Sequence, residues 1–339
     1  MHRFILMLKK VKTINFSIRA KLILIYLLCV IVPIILFSSI FYTSVMNSTK
    51  NEKLILFNQA VERIAVNIES NAVSAIQISN IIYSDETMYD YLNKTYYSQE
   101  EYLRDYNLYF KEAGSKLLPY NTNIIVLCIY SDNKTIMSTN YIDKLEGTGY
   151  KNNWFNQYMK KSPGALFVNH IDEVKVGYAG SKLVSLVRKL DYVKNIQYNH
   201  YLRITFRDDT FSKALKTEDL PGILYLVDQN NLIVARSDIQ GATYNNPDYE
   251  CFSDIHIDKK NILIKKELPV MDGWQVICVL DKDFLKADFK NIQRQIFYLM
   301  LFVTVFASLV IWSISASIYK RINILVKHMG KVEKEEYSL

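Results

Sequence analysis

Two apolar stretches without a charged side chain, Leu22–Thr49 and Gln295–Tyr319, bracket a long segment in which apolar positions recur with the periods of helices and strands. A hydrocarbon core of ~30 Å takes about 20 apolar residues in a helix, so each stretch is predicted to span a membrane. The first follows a basic leader, as a signal peptide would. It nevertheless runs on from Leu22–Phe37 into Ser38-Ser39-Ile40-Phe41-Tyr42 with no small-residue cleavage pattern, which predicts an uncleaved anchor. Pro33 lies within the span, where a helix keeps proline at the cost of a kink.

Between the spans, Leu54, Val61, Ile68, Ala75 and Ile82 recur every seven residues, with Phe57, Ile64, Asn71 and Ile78 at the complementary offset. This predicts one long amphipathic helix over 48–83. Its apolar stripe has two readings. Either it packs on its own domain, or it forms a dimer seam in which Asn71 sets the register. An apolar, β-rich run follows at Ile124–Tyr130, with a second strand after a polar turn at Thr135–Thr139, and strand signals come again at Lys182–Leu190 and Tyr201–Arg207. The order repeats in Ile223–Val227, Leu232–Arg236, Ile262–Leu268 and Trp274–Leu280, the last pair joined at Asp272-Gly273. Aligned, IYSDNKTIMST and LVDQNNLIVAR share strand, turn and strand, so two similar modules are predicted in tandem behind the helix.

The charges assign an orientation. The leader carries Arg3, Lys9, Lys10, Lys12, Arg19 and Lys21 and no acid, which places the N-terminus in the cytoplasm. With the tail beyond the second span, the flanks sum to +8. Ser44–Arg294 sums to −1, so the chain's net +7 lies in the flanks. Lys282, Lys286, Lys290 and Arg294 run against this pattern on the outside, but the leader and the parity of two spans outweigh them. With the basic surplus assigned to membrane flanks, no basic patch remains for nucleic acid. Of four cysteines, Cys29 lies in a span, Cys128 and Cys278 lie in apolar strand runs and Cys251 lies in a polar loop, so no disulfide of consequence is expected.

A long helix rising from a first span, two modules, the closing run MDGWQVICVLDKDFL and a second span together resemble a double Cache sensor domain. The segment Ile318–Lys327 through Lys331-Val332-Glu333-Lys334 is similar to the first helix of a HAMP linker, although Arg321 stands where such helices usually open with proline and Glu335 where glycine is usual. The run VSLVRKL at Val184–Leu190 is similar to YesM-type sensor histidine kinases. The resemblance implies an α+β fold of two PAS-like modules between two transmembrane helices in the plasma membrane. Its boundaries are a cytoplasmic leader 1–21, a span 22–43, an extracellular sensor 44–294 with modules at about 85–215 and 220–285, a span 295–318 and a partial HAMP segment 319–339. It also implies a homodimer, and a response regulator as partner where a kinase domain follows.

Catalytic signatures are absent from this sequence. His2, His170, His200, His256 and His328 lack the context of a phosphoacceptor, and Gly147-Thr148-Gly149 opens no phosphate-binding loop. There is no Cys-x-x-Cys or helical His pair for a metal, no cofactor is implied, and Asp208-Asp209 reads as a strand-end turn. The expectation is a sensor with a transmitter stub that stops before any output domain, as a fragment or a truncated gene would. The output implied is a histidine kinase, with a chemotaxis receptor or an AraC-type transmembrane regulator as the alternative.

For the ligand, the resemblance points to the distal module and the loop Tyr141–His170. The candidate residues are Tyr150, Asn152, Trp154, Phe155 and Tyr158, with Lys151 beside them and Arg188 reaching from the strand. Aromatic platforms with a few polar groups suit a small solute; the competing reading has Trp154 and Phe155 plugging the module's core. Amino-acid-binding double Cache domains carry an arginine two residues before this tryptophan, where Asn152 stands here. Lacking that fork for a carboxylate, the site is expected to favour a carbohydrate or peptide over an amino acid.

Overall fold

The computed structural model describes residues 32–111, 123–145, 153–161, 164–171, 182–194, 196–238, 250–258 and 260–336. Among them, the leader and the first ten residues of the first apolar stretch are not included, nor are Tyr150, Lys151 and Asn152. The fold is mixed α+β. Helix α1 (Val32–Tyr83) is followed by short helices α2 (Glu86–Asn93) and α3 (Gln99–Tyr106) and a π-helical turn. Two antiparallel-rich sheets come next, and helix α6 (Lys282–Glu336) ends the described chain. Two of these helices, α1 and the Gln293–Met329 part of α6, are long and apolar enough to cross a membrane. The chain divides into two compact units, residues 1–53 with 285–339 and residues 54–284; the second holds both sheets.

The first sheet comprises β1 (Ile124–Ser131), β2 (Ile142–Lys144), β3 (Ala165–Ile171), β4 (Lys182–Lys189) and β5 (His200–Phe206), in the order β2-β1-β5-β4-β3. The second comprises β6 (Gly222–Val227), β7 (Ile233–Arg236), β8 (Asn261–Leu268) and β9 (Trp274–Asp281), ordered β7-β6-β9-β8. In both, the first strand is second from one edge, with its successor on the outer side and the last strand on the inner side. The internal repeat read from the sequence is therefore a repeat of topology. The copies differ at their first turn. β6 and β7 form the expected antiparallel hairpin, but Thr135–Thr139 forms no strand, and β2 instead pairs with β1 in parallel from Ile142 onward. Asn133 accounts for this: fully buried, its Nδ2 donates to the carbonyls of Leu92 and Lys94, and its Oδ1 accepts from Thr135 N, so the segment after β1 is held against α2.

Helix α1 is where the modules meet. Val61, Ile64, Ile68, Ala72, Ala75 and Ile82 are wholly buried, and they belong to one apolar cluster with Leu127, Leu186 and Ile204 of the first sheet and Leu226, Ile264 and Val276 of the second. The heptad stripe thus packs on its own domain. Asn71 takes part in that packing, accepting from Asn123 Nδ2 at 2.7 Å while donating to Asn67 O. Polar contacts flank the stripe: Glu62 pairs with Lys266, Arg63 with Glu218 at 2.6 Å, and Glu69 accepts from Val270 N. At the turn before β9, Gly273 adopts φ 77°, which a side chain resists, and Trp274 Nε1 donates to Gln229 Oε1 at 2.7 Å. Burial of the stripe predicts that Ile68→Ala costs about 2–5 kcal/mol in denaturant unfolding of the chain in nanodiscs. Val66→Ala, on the exposed side of the same helix, should stay within about 0.5 kcal/mol.

Candidate ligand-binding site

The two faces of the first sheet do different work because side chains alternate along each strand. Leu127, Ile129, Leu186, Leu202 and Ile204 face the α1 cluster. Cys128, Tyr130, Val168, Val187 and Tyr201 form a second cluster on the other face, covered by helix α4 (Asn153–Lys161). The predicted loop Tyr141–His170 is therefore a strand, a helix and another strand. In α4, Trp154, Phe155 and Tyr158 fall one and three or four residues apart, which points all three at the sheet. They are 2%, 4% and 3% exposed. Tyr130 packs on Trp154 with ring centroids 4.9 Å apart, and Phe155 meets Tyr201 edge-on at 5.1 Å.

The three aromatic candidates are thus brought together, and Arg188 is not among them. It follows Val187 by one position and so lies on the α1 face, where Nη1 donates to Asn80 Oδ1 at 2.6 Å and the guanidinium stands 3.6 Å from the centroid of the Tyr83 ring. Tyr150 and Asn152 lie outside the described residues. Tyr158 has its hydroxyl engaged, accepting from Lys189 N at 3.0 Å and donating to Gly164 O at 3.1 Å.

Sequence reasoning missed Arg203. It occupies the middle of β5, paired with Cys128 on one side and Val187 on the other, and it is 6% exposed. Its guanidinium carbon lies 5.2 Å from the Trp154 ring and 5.3 Å from the Tyr130 ring. Among the described residues no ion pair reaches it, and its Nε and the Nε1 of Trp154 are both buried without a hydrogen-bond partner. A cavity of about 390 Å³ opens beside it, lined by Val126, Cys128, Tyr130, Thr139, Asn140, Tyr141, Asp143 and Arg203. Asp143 stands on β2 and Arg203 on β5, so the acid and the cation line the cavity from opposite sides of β1. Asp143 Oδ1 accepts from Ser138 Oγ at 2.7 Å and from Lys144 N. The legible signal was one charged residue inside HYLRITF, a strand otherwise able to bury both faces.

The field of Arg203 extends along the sheet. His170, on the same α4 face but two strands away on β3, is fully buried and hydrogen-bonded to Ser185 Oγ at 2.8 Å, which in turn meets Thr205 Oγ1 at 2.8 Å. Burial first, and the charge of Arg203 second, push the His170 pKa down to about 3. His200, on the opposite face and bonded to Ser131 Oγ at 3.0 Å, is lowered to about 4 by burial. No group of three His, Cys, Asp or Glu side chains among the described residues is arranged to hold a metal ion. Cys128 and Cys278 are buried thiols outside any disulfide, and Cys251 is half-buried.

No protein-family model matches the chain, and no curated protein matches it. Solved structures do. The ligand-binding domain of the Pseudomonas fluorescens chemoreceptor CtaA in complex with L-isoleucine is 14% identical with a TM-score of 0.45, covering 71% of this chain and 97% of that one. The sensory domain of the Campylobacter jejuni chemoreceptor Tlp3 with isoleucine bound gives 10%, 0.45, 71% and 97%. The ligand-binding domain of Mlp24 with asparagine gives 11%, 0.41, 74% and 99%. The neighbours are sensory domains of receptors, and their ligands are amino acids. That contradicts the expectation that a carbohydrate or peptide is favoured over an amino acid, which is withdrawn. The expectation rested on the missing guanidinium at Asn152 and overlooked the one that β5 carries at Arg203.

The buried imidazoles make stability depend on acid. Both stay neutral in the fold, while in the unfolded chain they take up protons near pH 6.5. Stability is therefore complete above that pH and falls as pH drops toward 4, by up to about 1.4 kcal/mol per pH unit for each ring. Urea unfolding between pH 7 and 4.5 should show this slope, and His170→Gln should remove about half of it.

Proposed function

We propose that the chain is the input region of a two-pass membrane receptor, with residues 44–294 outside the cell, which binds a small amino-acid-like solute in the cavity between β1, β2 and β5. The observation that carries this reading is Arg203. An ionised guanidinium held 6% exposed without an ion pair among the described residues is costly, and a carboxylate entering the cavity offsets that cost through charge-assisted hydrogen bonds. Trp154, whose Nε1 is likewise buried without a hydrogen-bond partner, packs its ring on that guanidinium. Asp143, across β1, is the acid for an ammonium group, and the apolar edges of Val126 and Cys128 with the Tyr141 ring supply contact area. A zwitterion matches both signs; a neutral solute leaves the guanidinium unanswered.

In this reading the signal leaves through two helices. β9 runs directly into α6, which continues unbroken to Glu336, past the second apolar stretch and through the HAMP-like segment. That continuity supports a linker leading to an output domain, and the sequence resemblance favours a histidine kinase as that output. The ligand acts by binding one of two arrangements of the sensor more tightly than the other.

The test is direct binding to the whole chain in nanodiscs, using a panel of L-amino acids with a neutral sugar as control. At 100 times its dissociation constant a ligand adds roughly 2.7 kcal/mol and raises the melting temperature. An amino acid should do so and the sugar should not. Arg203→Gln, close in size, should weaken binding about 100-fold, in keeping with loss of a buried charge-assisted contact. Binding of an amino acid undiminished in Arg203→Gln would refute this assignment of the site.

A further inference from the structure

The hydroxyl of Tyr158 does something unusual for the sheet. β3 and β4 pair from Ala165↔Arg188 to Ile171↔Lys182, and the next rung would join Gly164 to Lys189. That rung is replaced: Lys189 N donates to Tyr158 Oη, and Tyr158 Oη donates to Gly164 O. A side chain of α4 is thereby stitched into the end of the sheet. One residue back along β4, the Arg188 side chain projects to the other face and grips the last turn of α1. It donates to Asn80 Oδ1 at 2.6 Å and to Ser79 Oγ at 3.4 Å, and it stacks at 3.6 Å on the Tyr83 ring. Just beyond the strand, Asp191 accepts from Tyr83 Oη at 3.1 Å. Adjacent residues of one strand thus hold two helices on opposite faces of the sheet.

We propose that Lys189 and Arg188 form a transverse coupling in which Arg188 is a positioning residue, tying α4, whose Trp154 packs on the cavity-lining Arg203, to the end of α1. The inference rests on the reading of that cavity as the ligand site, and it assigns Arg188 a role other than contact with the ligand. Trp154 and Tyr158 share α4, so a displacement of Trp154 on the Arg203 side moves the Tyr158 hydroxyl. The backbone at Lys189 follows, and the stacked guanidinium carries the shift to Tyr83. Both ends of the link are rigid: Tyr158 is 3% exposed, and the α1 turn is fixed by the fully buried Ile82. Helix α1 continues without interruption from this turn back to Val32, so a shift at Tyr83 is delivered to a single helix of 52 residues.

The decisive experiment is amide hydrogen exchange of the segment Ile76–Ser84 in the whole chain in nanodiscs, as a double-mutant cycle that needs no ligand. Arg188→Ala should speed exchange there about tenfold. Tyr158→Phe, which removes only the hydroxyl on the far face, should speed it about threefold, and the double variant should match Arg188→Ala alone. Wild-type exchange at Ile76–Ser84 in Tyr158→Phe, or effects that multiply in the double variant, would overturn the coupling. A second arm uses the L-amino acids as probes. Arg188→Ala should bind them with wild-type affinity while Arg203→Gln does not, and a parallel loss in Arg188→Ala would make Arg188 a ligand contact and overturn its positioning role. If the wild-type chain binds none of them, the cavity reading fails, and the exchange cycle still decides the coupling.

Discussion

The structure of the two-sheet unit depends on one apolar seam, the face of α1 from Ala60 to Ile82. Among the described residues neither sheet has a second helix of comparable length to cover it, and both place their inner residues against this one. Ile264 and Val276 of the second sheet share a single cluster with Leu186 and Ile204 of the first, because the helix passes under both. At roughly 25 cal/mol per Å² of apolar surface removed from water, such a seam outweighs the exposed ion pairs beside it. The consequence for function is geometric. A helix that carries the cores of both modules cannot move relative to one of them without a response from the other.

That seam also divides the labour of the first sheet. One face is committed to α1 and must be apolar. Among the described residues the other is covered by the short helix α4, which leaves room at the β1 and β2 side for a cavity and for the cost of a buried cation. Arg203, Trp154 and Tyr130 occupy the boundary between the covered and the open parts of that face. The cation-π contacts hold the guanidinium in place without neutralising it, since aromatic rings supply a partial charge and not a counter-ion. Burial, reinforced by that charge, keeps His170 neutral, so the polar row His170, Ser185 and Thr205 stays uncharged across the sheet.

Much of the layout was legible before any coordinates. The end of α1 at Tyr83, the strands at 182–189, 200–206, 222–227, 261–268 and 274–281, and the tandem repeat all follow from hydrophobic period, with ends shifted by a residue at most. The errors have local causes. Thr135–Thr139 has strand composition, but a buried asparagine side chain captures the backbone there. The 153–161 helix was hidden because its apolar positions, three within five residues, are too few to establish a period. The aromatic residues of α4 pack as one group on the sheet, whereas the buried cation beside them is hard to read from sequence, because an arginine in a strand ordinarily points to water.

By itself, the sequence determined the periods: which segments form helices or strands, which stretches can cross a membrane, and that the middle of the chain repeats. Those properties are local, set by the order of apolar and polar side chains along a few turns or pleats. Pairing across strands lay beyond it. Whether Arg188 and Arg203 share a face is decided by strand order and register, because Val187 is opposite Arg203 and its neighbour therefore points away. Only the folded sheet set one guanidinium beside the cavity and the other on the last turn of α1, and two arginines that look alike in the sequence acquired different surroundings.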